Sequence, residues 1–534
     1  MILVALAAII LPLVLLGGLN LPATRGMSIS AVVVVILGML FWHLSPAVIG
    51  ASVLQSLHKS LPILWILFGA LLMLNSLRAT GAIDRINQGF KALSADMRLQ
   101  TVLVAFLFGG LIEGVSGFGT PAMVTAPLLI ALGFSPMAAV ILALVADSTP
   151  AAFGAVGTPL TVGLSNVTEK ADLLNLIGQR ITQLDLLVGA LMPALLIFIL
   201  VWSFGPKKHR WQQWLAVLPW ALVIGLVYSV VALITATVIS YEFVSIIAPF
   251  VTLIVAIVSL HYHWLLPPAV QATPWQTATA QPTAPATSTK TAGSMSLLTA
   301  WAPYLLVVVL LLASRVLQPL KLWLTSHLNL SWTQIMGFKT INSDWELLYS
   351  PGTILALAAL IGLFIQARSL KAALPTAKKV VSSMGNTAIA LVVTLILVQV
   401  FTNSGLNSAN LPSMPMYIAK FVAKYLAGIW IIIAPFLGEL GSFVTGSTTV
   451  STLTFGQIQA DIAANAHLNE PVVLAAQLIG AAAGNMICVH NIVAVSSVVG
   501  LDGQEGTILR KTILPALAYA ALIGVAGLVL IKLI

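Results

Sequence analysis

Three acids interrupt strongly apolar sequence: Glu113 in LIEGVSGFGTP, Asp147 in ADSTPAAFGAVGTP and Glu439 in LGELGSFVTGSTT. The chain carries 15 acidic residues among 534, so placing three at membrane depth is unusual. An ionisable group at that depth is a functional-site candidate. Loss of hydration favours the neutral form of a carboxyl group, which can then take up and release a proton near neutral pH. Asp147 first, then Glu113, then Glu439 are candidates for coupling proton movement to that of a solute. For each, the alternative is a structural acid bonded to hydroxyls or amides of a neighbouring helix.

Small polar residues surround these acids. Ser116, Thr120, Ser148, Thr149 and Thr158 stand in the first half, and Ser442, Thr445, Ser447, Thr448 and Asn485 in the second. Gly117, Gly119 and Gly446 permit turns and close approach of a ligand to backbone. No Arg or Lys falls in these segments. A carboxylate would therefore be held by hydroxyls and by N–H groups at helix N-termini. Such contacts are weaker than an Arg clamp and release more easily. His490 and Asn491, in CVHNIV, add a group that titrates near neutrality and an amide; a packing histidine is the alternative. No second His or Cys stands at ligand spacing, so neither metal nor cofactor is expected. The competing reading of the Ser, Thr and Gly clusters is close helix packing.

Composition sets the environment. The chain is 59% hydrophobic and 7% charged, with a mean hydropathy of +1.04, against about 25% charged residues in soluble domains. This predicts an all-α polytopic membrane protein. Long apolar runs exclude a β-barrel, whose strands alternate in short segments. The net charge of +9 does not imply nucleic acid, because the basic residues sit in a few short loops, as the positive-inside rule expects. Cys488 is alone, which excludes an internal disulfide. Residues 1–19 lack a basic n-region and read as a first span rather than a removed signal peptide.

With the clusters Arg78/Arg85/Lys91/Arg98, Lys207/Lys208/Arg210, Arg368/Lys371/Lys378/Lys379 and Arg510/Lys511 placed in the cytoplasm, the spans alternate consistently and both termini fall outside. Spans 1–3 (residues 1–18, 28–43 and 61–77) precede an amphipathic interfacial stretch at 81–96. Residues 99–133 are too short for two full spans and read as a re-entrant hairpin with its tip at 113–121. Span 4 (136–162) is broken at 147–150, and span 5 covers 185–204. Spans 6 and 7 (214–236 and 238–260) form a connecting pair. Residues 265–296, rich in Pro, Ala, Thr and Gln, read as a flexible cytoplasmic linker without core-forming residues. Spans 8–10 (297–317, 352–367 and 385–401) follow. A second hairpin spans 425–455 with its tip at 438–449, then come a span at 471–499 interrupted at 484–491 and a last span at 512–532. Each half thus reads three spans, hairpin, broken span and span, in opposite orientation. This is an inverted-topology repeat of about 12 transmembrane helices plus two re-entrant hairpins. Glu113 and Glu439 lie 326 residues apart at matching places. The implied parts are scaffold spans at 1–98 and 297–424, transport parts at 99–204 and 425–534, a connecting pair at 205–264 and the linker.

LIEGVSGFGTP, ADSTPAAFGAVGTP, GSFVTGSTTVSTLTFGQIQ and GAAAGNMICVHNIVAVSSVVG resemble, in order, characteristic stretches of the bacterial L-lactate permease family. The likeness runs along essentially the whole chain, to TILRK near its end. It implies a symporter in the bacterial cytoplasmic membrane that carries lactate, and often glycolate, with protons. It also implies an elevator-type transporter, in which a hairpin-bearing part moves against a scaffold. The family motifs fall on residues 113–121, 147–159, 441–452 and 484–491. One departure is implied: the turn at 446–449 lacks the Asp or Asn of many relatives, and an acid stands at Glu439 instead. The expected partners are lactate, protons and membrane lipids, with a homodimer by analogy to other elevators and no nucleic acid. A sodium-coupled carboxylate transporter of the same architecture is the main rival. A channel suits paired hairpins poorly, and an intramembrane enzyme lacks a catalytic dyad at recognisable spacing.

Overall fold

The computed structural model describes residues 1–534 except 20, 118, 166, 169, 268–269, 271–274, 277–294, 368–370, 372 and 427–428. Among the described residues, regular structure is helical, apart from isolated bridges such as Asn329 with Glu346 and Trp332 with Ser343. By length and composition, eight described helices could cross a membrane, or ten if each of two bent pairs is one span. Shorter apolar helices, among them Ile2–Leu16, Pro351–Ala367 and Trp430–Thr445, accompany them. The result is an all-α polytopic membrane protein.

Helices from the two ends of the sequence interlock. Pro46–Thr80 packs on Pro351–Ala367, and both it and Ala23–Phe41 pack on Gly385–Asn403. At the first crossing, glycine opposes glycine. A Cβ on Gly69 would lie 2.5 Å from the Gly352 carbonyl oxygen, and one on Gly352 would lie 2.6 Å from the Trp65 backbone. Lipid tails are as apolar as the helices, so burial alone does not drive association, and small residues that admit close backbone contact do. Trp65 Nε1 donates to Thr353 Oγ1 at 2.8 Å across the same seam.

Both expected hairpins form. In the first, Met97–Thr101, a π-helical stretch Val102–Phe108 and Gly109–Ser116 lead to Gly117 and Gly119, both with positive φ, and Thr120–Ala131 returns. In the second, Trp430–Thr445 and Thr448–Asn465 flank a turn at 446–447. The expected second tip at 438–449 is thus too wide. Glu439 lies in the descending arm, about two turns before the turn itself, because one left-handed Gly446 suffices to reverse the chain. The two interrupted helices also form. Pro136–Ala146 bends by 51° into Pro150–Thr161, and Glu470–Gly484 gives way to Val489–Val499.

Several boundaries differ from expectation. The fifth span begins at Ala171 rather than residue 185: Ala171–Leu187 and Gly189–Phe204 form one bent pair at 44°. Its first helix carries Asp172, Asn175, Gln179, Arg180, Gln183 and Asp185, which hides it from a hydropathy reading. The span expected at 61–77 is the last half of the 35-residue helix Pro46–Thr80. Two helices, Ala373–Ser383 and Met414–Leu426, stand in stretches read as connections. Spans 6 and 7 do more than connect. Val244–His261 packs on the first hairpin, where a Cβ on Gly114 would collide with the Ser245 carbonyl.

The stretch 265–296 is not free of core-forming residues. Trp275 is buried, its backbone N–H donating to Asp96 Oδ2 at 3.1 Å and its indole N–H to Gln213 Oε1 at 2.9 Å. The Arg98 guanidinium lies 5.7 Å from the Trp275 ring centroid and binds Asp96 at 2.6 Å with both side chains buried. Residues 277–294 of the expected linker, and Arg368 of the third basic cluster, lie outside the described residues.

Removing one member of a buried ion pair leaves the other unpaired, at a cost of about 3–5 kcal/mol. Arg98→Ala is therefore expected to lower the thermal unfolding temperature in detergent. The Asp96→Ala/Arg98→Ala double variant is expected to be less destabilised than Arg98→Ala alone; equal or greater loss would show that packing on Trp275, not charge, dominates there.

Candidate functional site

The two turns meet. One small cavity, of about 20 Å³, is lined by Glu113 and Gly117 of the first hairpin, by Gly154, Ala155 and Thr158 of the first interrupted helix, and by Gly446, Ser447, Thr448 and Thr449 of the second turn, with Asn485 closing it from the second interruption. Among the described residues, none of its lining side chains is basic. The N-terminal end of Thr448–Asn465 thus opens onto the cavity. Ser447 caps that helix, its hydroxyl oxygen accepting from the Val450 N–H, and N–H groups of its first turn face where an anion would sit.

The cavity walls come from unusual backbone. Residues 155–157 are left-handed, with φ of 46°, 55° and 73°. Left-handed torsions at Ala155 and at β-branched Val156 each cost roughly 1–3 kcal/mol and persist only where surroundings impose them. Here Gly117 abuts Ala155, and Thr158 Oγ1 donates to the Ala155 carbonyl at 2.6 Å. At the second turn, Gly446 has φ +67°, and any Cβ there would collide with the His490 ring. The first turn touches the second interrupted helix too: a Cβ on Gly119 would lie 2.8 Å from Asn491 Oδ1.

The acids occupy two different settings. The Glu113 and Asp147 carboxyl groups lie against one another, placed so that they could share a hydrogen bond. Both are buried, and Glu113 Oε2 and Asp147 Oδ1 have no protein partner. Two carboxyl groups can share such a bond only with a proton between them. Glu439 is buried with neither oxygen partnered, in an arm packed tightly on Glu470–Gly484. It does not line the cavity. Ser442 Oγ, Thr120 Oγ1 and Asn485 Oδ1 are likewise buried without protein partners.

The other candidates divide. Thr448 Oγ1 accepts from Asn485 Nδ2 at 3.2 Å, joining turn to interruption. Ser116, Ser148 and Thr445 bond to carbonyls of their own helices, Ile112, Val145 and Gly441, at 2.8 Å each. This is the packing behaviour expected of such residues in helices. His490 and Asn491 sit in the first turn of Val489–Val499, not in the interruption, and His490 Nδ1 lies 3.4 Å from Cys488 Sγ. Three groups escaped notice in the sequence. Gln459 and Gln477 are fully buried and pair at 2.6 Å, with Trp430 Nε1 donating to Gln459 and Gln477 donating to Ser451. Asp185 accepts from the Tyr519 hydroxyl at 2.9 Å. Gln at i and i+18 and a lone Asp in a polar helix carry no local motif; only their presence in otherwise apolar surroundings marks them.

The sequence model of the L-lactate permease family matches residues 1–534. The chain belongs to that family. A putative L-lactate permease of Haemophilus influenzae is 30% identical over 511 residues, covering 91% of this chain and 90% of the relative. An L-lactate permease of Bacillus subtilis is 27% identical, covering 86% and 83%, and a glycolate permease of Escherichia coli is 27% identical, covering 88% and 84%. As a member of a permease family, the chain is a transporter and not an enzyme. The cavity between the turns is accordingly considered as a place for cargo, with no reaction to perform.

A methyl group at Gly446 must displace His490 and hold a left-handed torsion, which costs roughly 1–2 kcal/mol in an L-residue. Gly446→Ala is expected to cut transport by about tenfold or more. Adding His490→Ala should relieve the collision but not the torsion and restore part of the rate. Wild-type uptake by Gly446→Ala would show that the turn does not need this geometry.

Proposed function

We propose that this chain is a secondary active symporter of L-lactate and related small 2-hydroxymonocarboxylates, such as D-lactate and glycolate, driven by the proton gradient. The observation that carries the reading is the Glu113–Asp147 carboxyl contact beside a cavity without basic side chains. An ionised Glu113 and an anionic substrate in one small cavity without a basic side chain repel each other. A proton on the pair removes that repulsion. Proton and anion then bind together and leave together, which is what symport requires. Hydroxyls of Ser447, Thr448 and Thr449 and the helix N-terminus they occupy would hold the carboxylate. Asp147 is the first proton carrier and Glu113 the second, with Glu439 a further candidate. The names of the relatives, lactate and glycolate permeases, support the substrate class.

The architecture we infer is an inverted repeat working as an elevator. Its support is a reciprocal exchange of contacts. The return arm Thr120–Ala131 packs on Val489–Val499, and the return arm Thr448–Asn465 packs on Gly154–Thr161. Each hairpin thus leans on the other half's interrupted helix, and the two move as one body against spans 1–3 and 8–10. Both termini lie outside the cell in this reading.

The test is radiolabelled lactate uptake into proteoliposomes with an imposed pH gradient and no sodium. Uptake is expected to be concentrative, to rise as the external pH falls and to collapse with a protonophore. Asp147→Asn and Glu113→Gln should each lower proton-driven accumulation by about tenfold or more. Accumulation that ignores the pH gradient and requires sodium would overturn proton coupling. Full uptake after a cysteine crosslink joins a hairpin to Pro351–Ala367 would overturn the elevator.

A further inference from the structure

A third buried acid sits beside the same break. Asp185 lies near the end of Ala171–Leu187, 4% exposed, and among the described residues no cation pairs with it. Its Oδ1 accepts from Tyr519 Oη at 2.9 Å. Tyr519 Oη lies in turn 3.2 Å from Thr149 Oγ1, and Thr149 is two residues from Asp147 in the interruption of the fourth span. Tyr519 and Thr149 are each 2% exposed. Three segments from distant parts of the chain are thus tied by two hydrogen bonds. Other titratable groups facing Asp185 are limited among the described residues to Tyr228 of Leu218–Val238, which bonds Ser245, itself a donor to the Pro150 carbonyl at 2.7 Å. From Glu470–Gly484, which also packs on Ala171–Leu187, no titratable side chain is among these partners.

Donor and acceptor accounting gives this chain a direction. A carboxylate only accepts. With Asp185 ionised, the Tyr519 hydroxyl must donate to it, so Thr149 must donate to Tyr519. With Asp185 protonated, its O–H can donate to the Tyr519 oxygen. Tyr519 then donates to Thr149, and the Thr149 hydrogen is released into the break that holds Asp147, whose Oδ1 has no protein partner.

We propose that Asp185 is a proton-binding group of the transport cycle, in series with the Glu113–Asp147 pair, and that Tyr519 and Thr149 report its protonation to the break. This rests on the proton-symport reading above. In it, Asp185 is a positioning residue: it touches no cargo and acts by reversing two hydrogen bonds.

The experiment compares two activities of the full-length protein in proteoliposomes without sodium. One is accumulation of radiolabelled lactate under a pH gradient. The other is exchange of external labelled lactate for internal unlabelled lactate, which moves no net proton. The wild type decides the parent reading first: if it fails to accumulate lactate from a pH gradient, proton symport itself falls. Given wild-type accumulation, Asp185→Asn is expected to lose it by about tenfold or more while exchange falls less than about threefold. Asp185→Glu is expected to restore pH dependence in part. Tyr519→Phe, which keeps the ring and removes only the hydroxyl, is expected to retain exchange and shift the pH profile of accumulation. A wild-type pH profile in Tyr519→Phe overturns the proposal even if Asp185→Asn fails to fold. Parallel loss of exchange and accumulation in a folded Asp185→Asn also overturns it, by making Asp185 purely structural.

Discussion

Two carboxyl groups pressed together away from water can keep their contact only while a proton lies between them, and much of this molecule serves to press them together. Glu113 comes from the last turn before the first hairpin reverses, and Asp147 from the point where the fourth span stops being a helix. Gly154 keeps the approach open, since any side chain there would occupy the place of the Glu113 carboxyl. Among the described residues, no lysine or arginine lines the cavity beside the pair. A permanent counter-charge would hold both acids ionised and would bind an anion regardless of proton. Its absence makes the charge state of the cavity depend on what occupies it.

Holding irregular backbone at this depth requires that the surrounding helices be fixed without help from the hydrophobic effect, which does not distinguish a helix from lipid. The chain uses two devices. One is contact of backbone with backbone at glycine, as where Gly480 meets the Pro435 carbonyl and Gly438 meets that of Gln477. The other is a closed polar network: Trp430, Gln459, Gln477 and Ser451 satisfy one another and the carbonyls of Ala434 and Gly438. A buried amide left half-satisfied would be costly; here Gln459 makes three such bonds and locks both arms of the second hairpin to the helix behind them.

What could be read from the sequence follows from these physics. The turns and interruptions were legible because Gly, Pro, Ser and Asp cannot be explained by hydrocarbon, and the first turn and both interruptions fall where those residues cluster. The proposed orientation and inverted repeat rest on charge counting alone. Ala171–Leu187 was not legible, because a helix enclosed by other helices needs no apolar stripe and its amides and Asp185 mask it. The second turn was drawn too wide because an acid draws attention, while the reversal needed only Gly446. Trp275 was missed because one aromatic in a Pro- and Thr-rich stretch says nothing of the Asp96–Arg98 pair waiting for it. Partners far apart in the chain, such as Thr149 and Tyr519, leave no mark in sequence at all.

That last separation has a bearing on how the molecule is made. Thr149 and Tyr519 are 370 residues apart. At about 5–20 residues per second, the ribosome needs roughly 20–70 s to deliver the second after the first. Throughout that interval the first hairpin and the interrupted helix after it must wait, with Glu113, Asp147 and the left-handed segment lacking the helices that later enclose them. The nascent half is therefore a client for whatever shelters polar surface in the membrane during synthesis, and its completion waits for the helix that carries Tyr519.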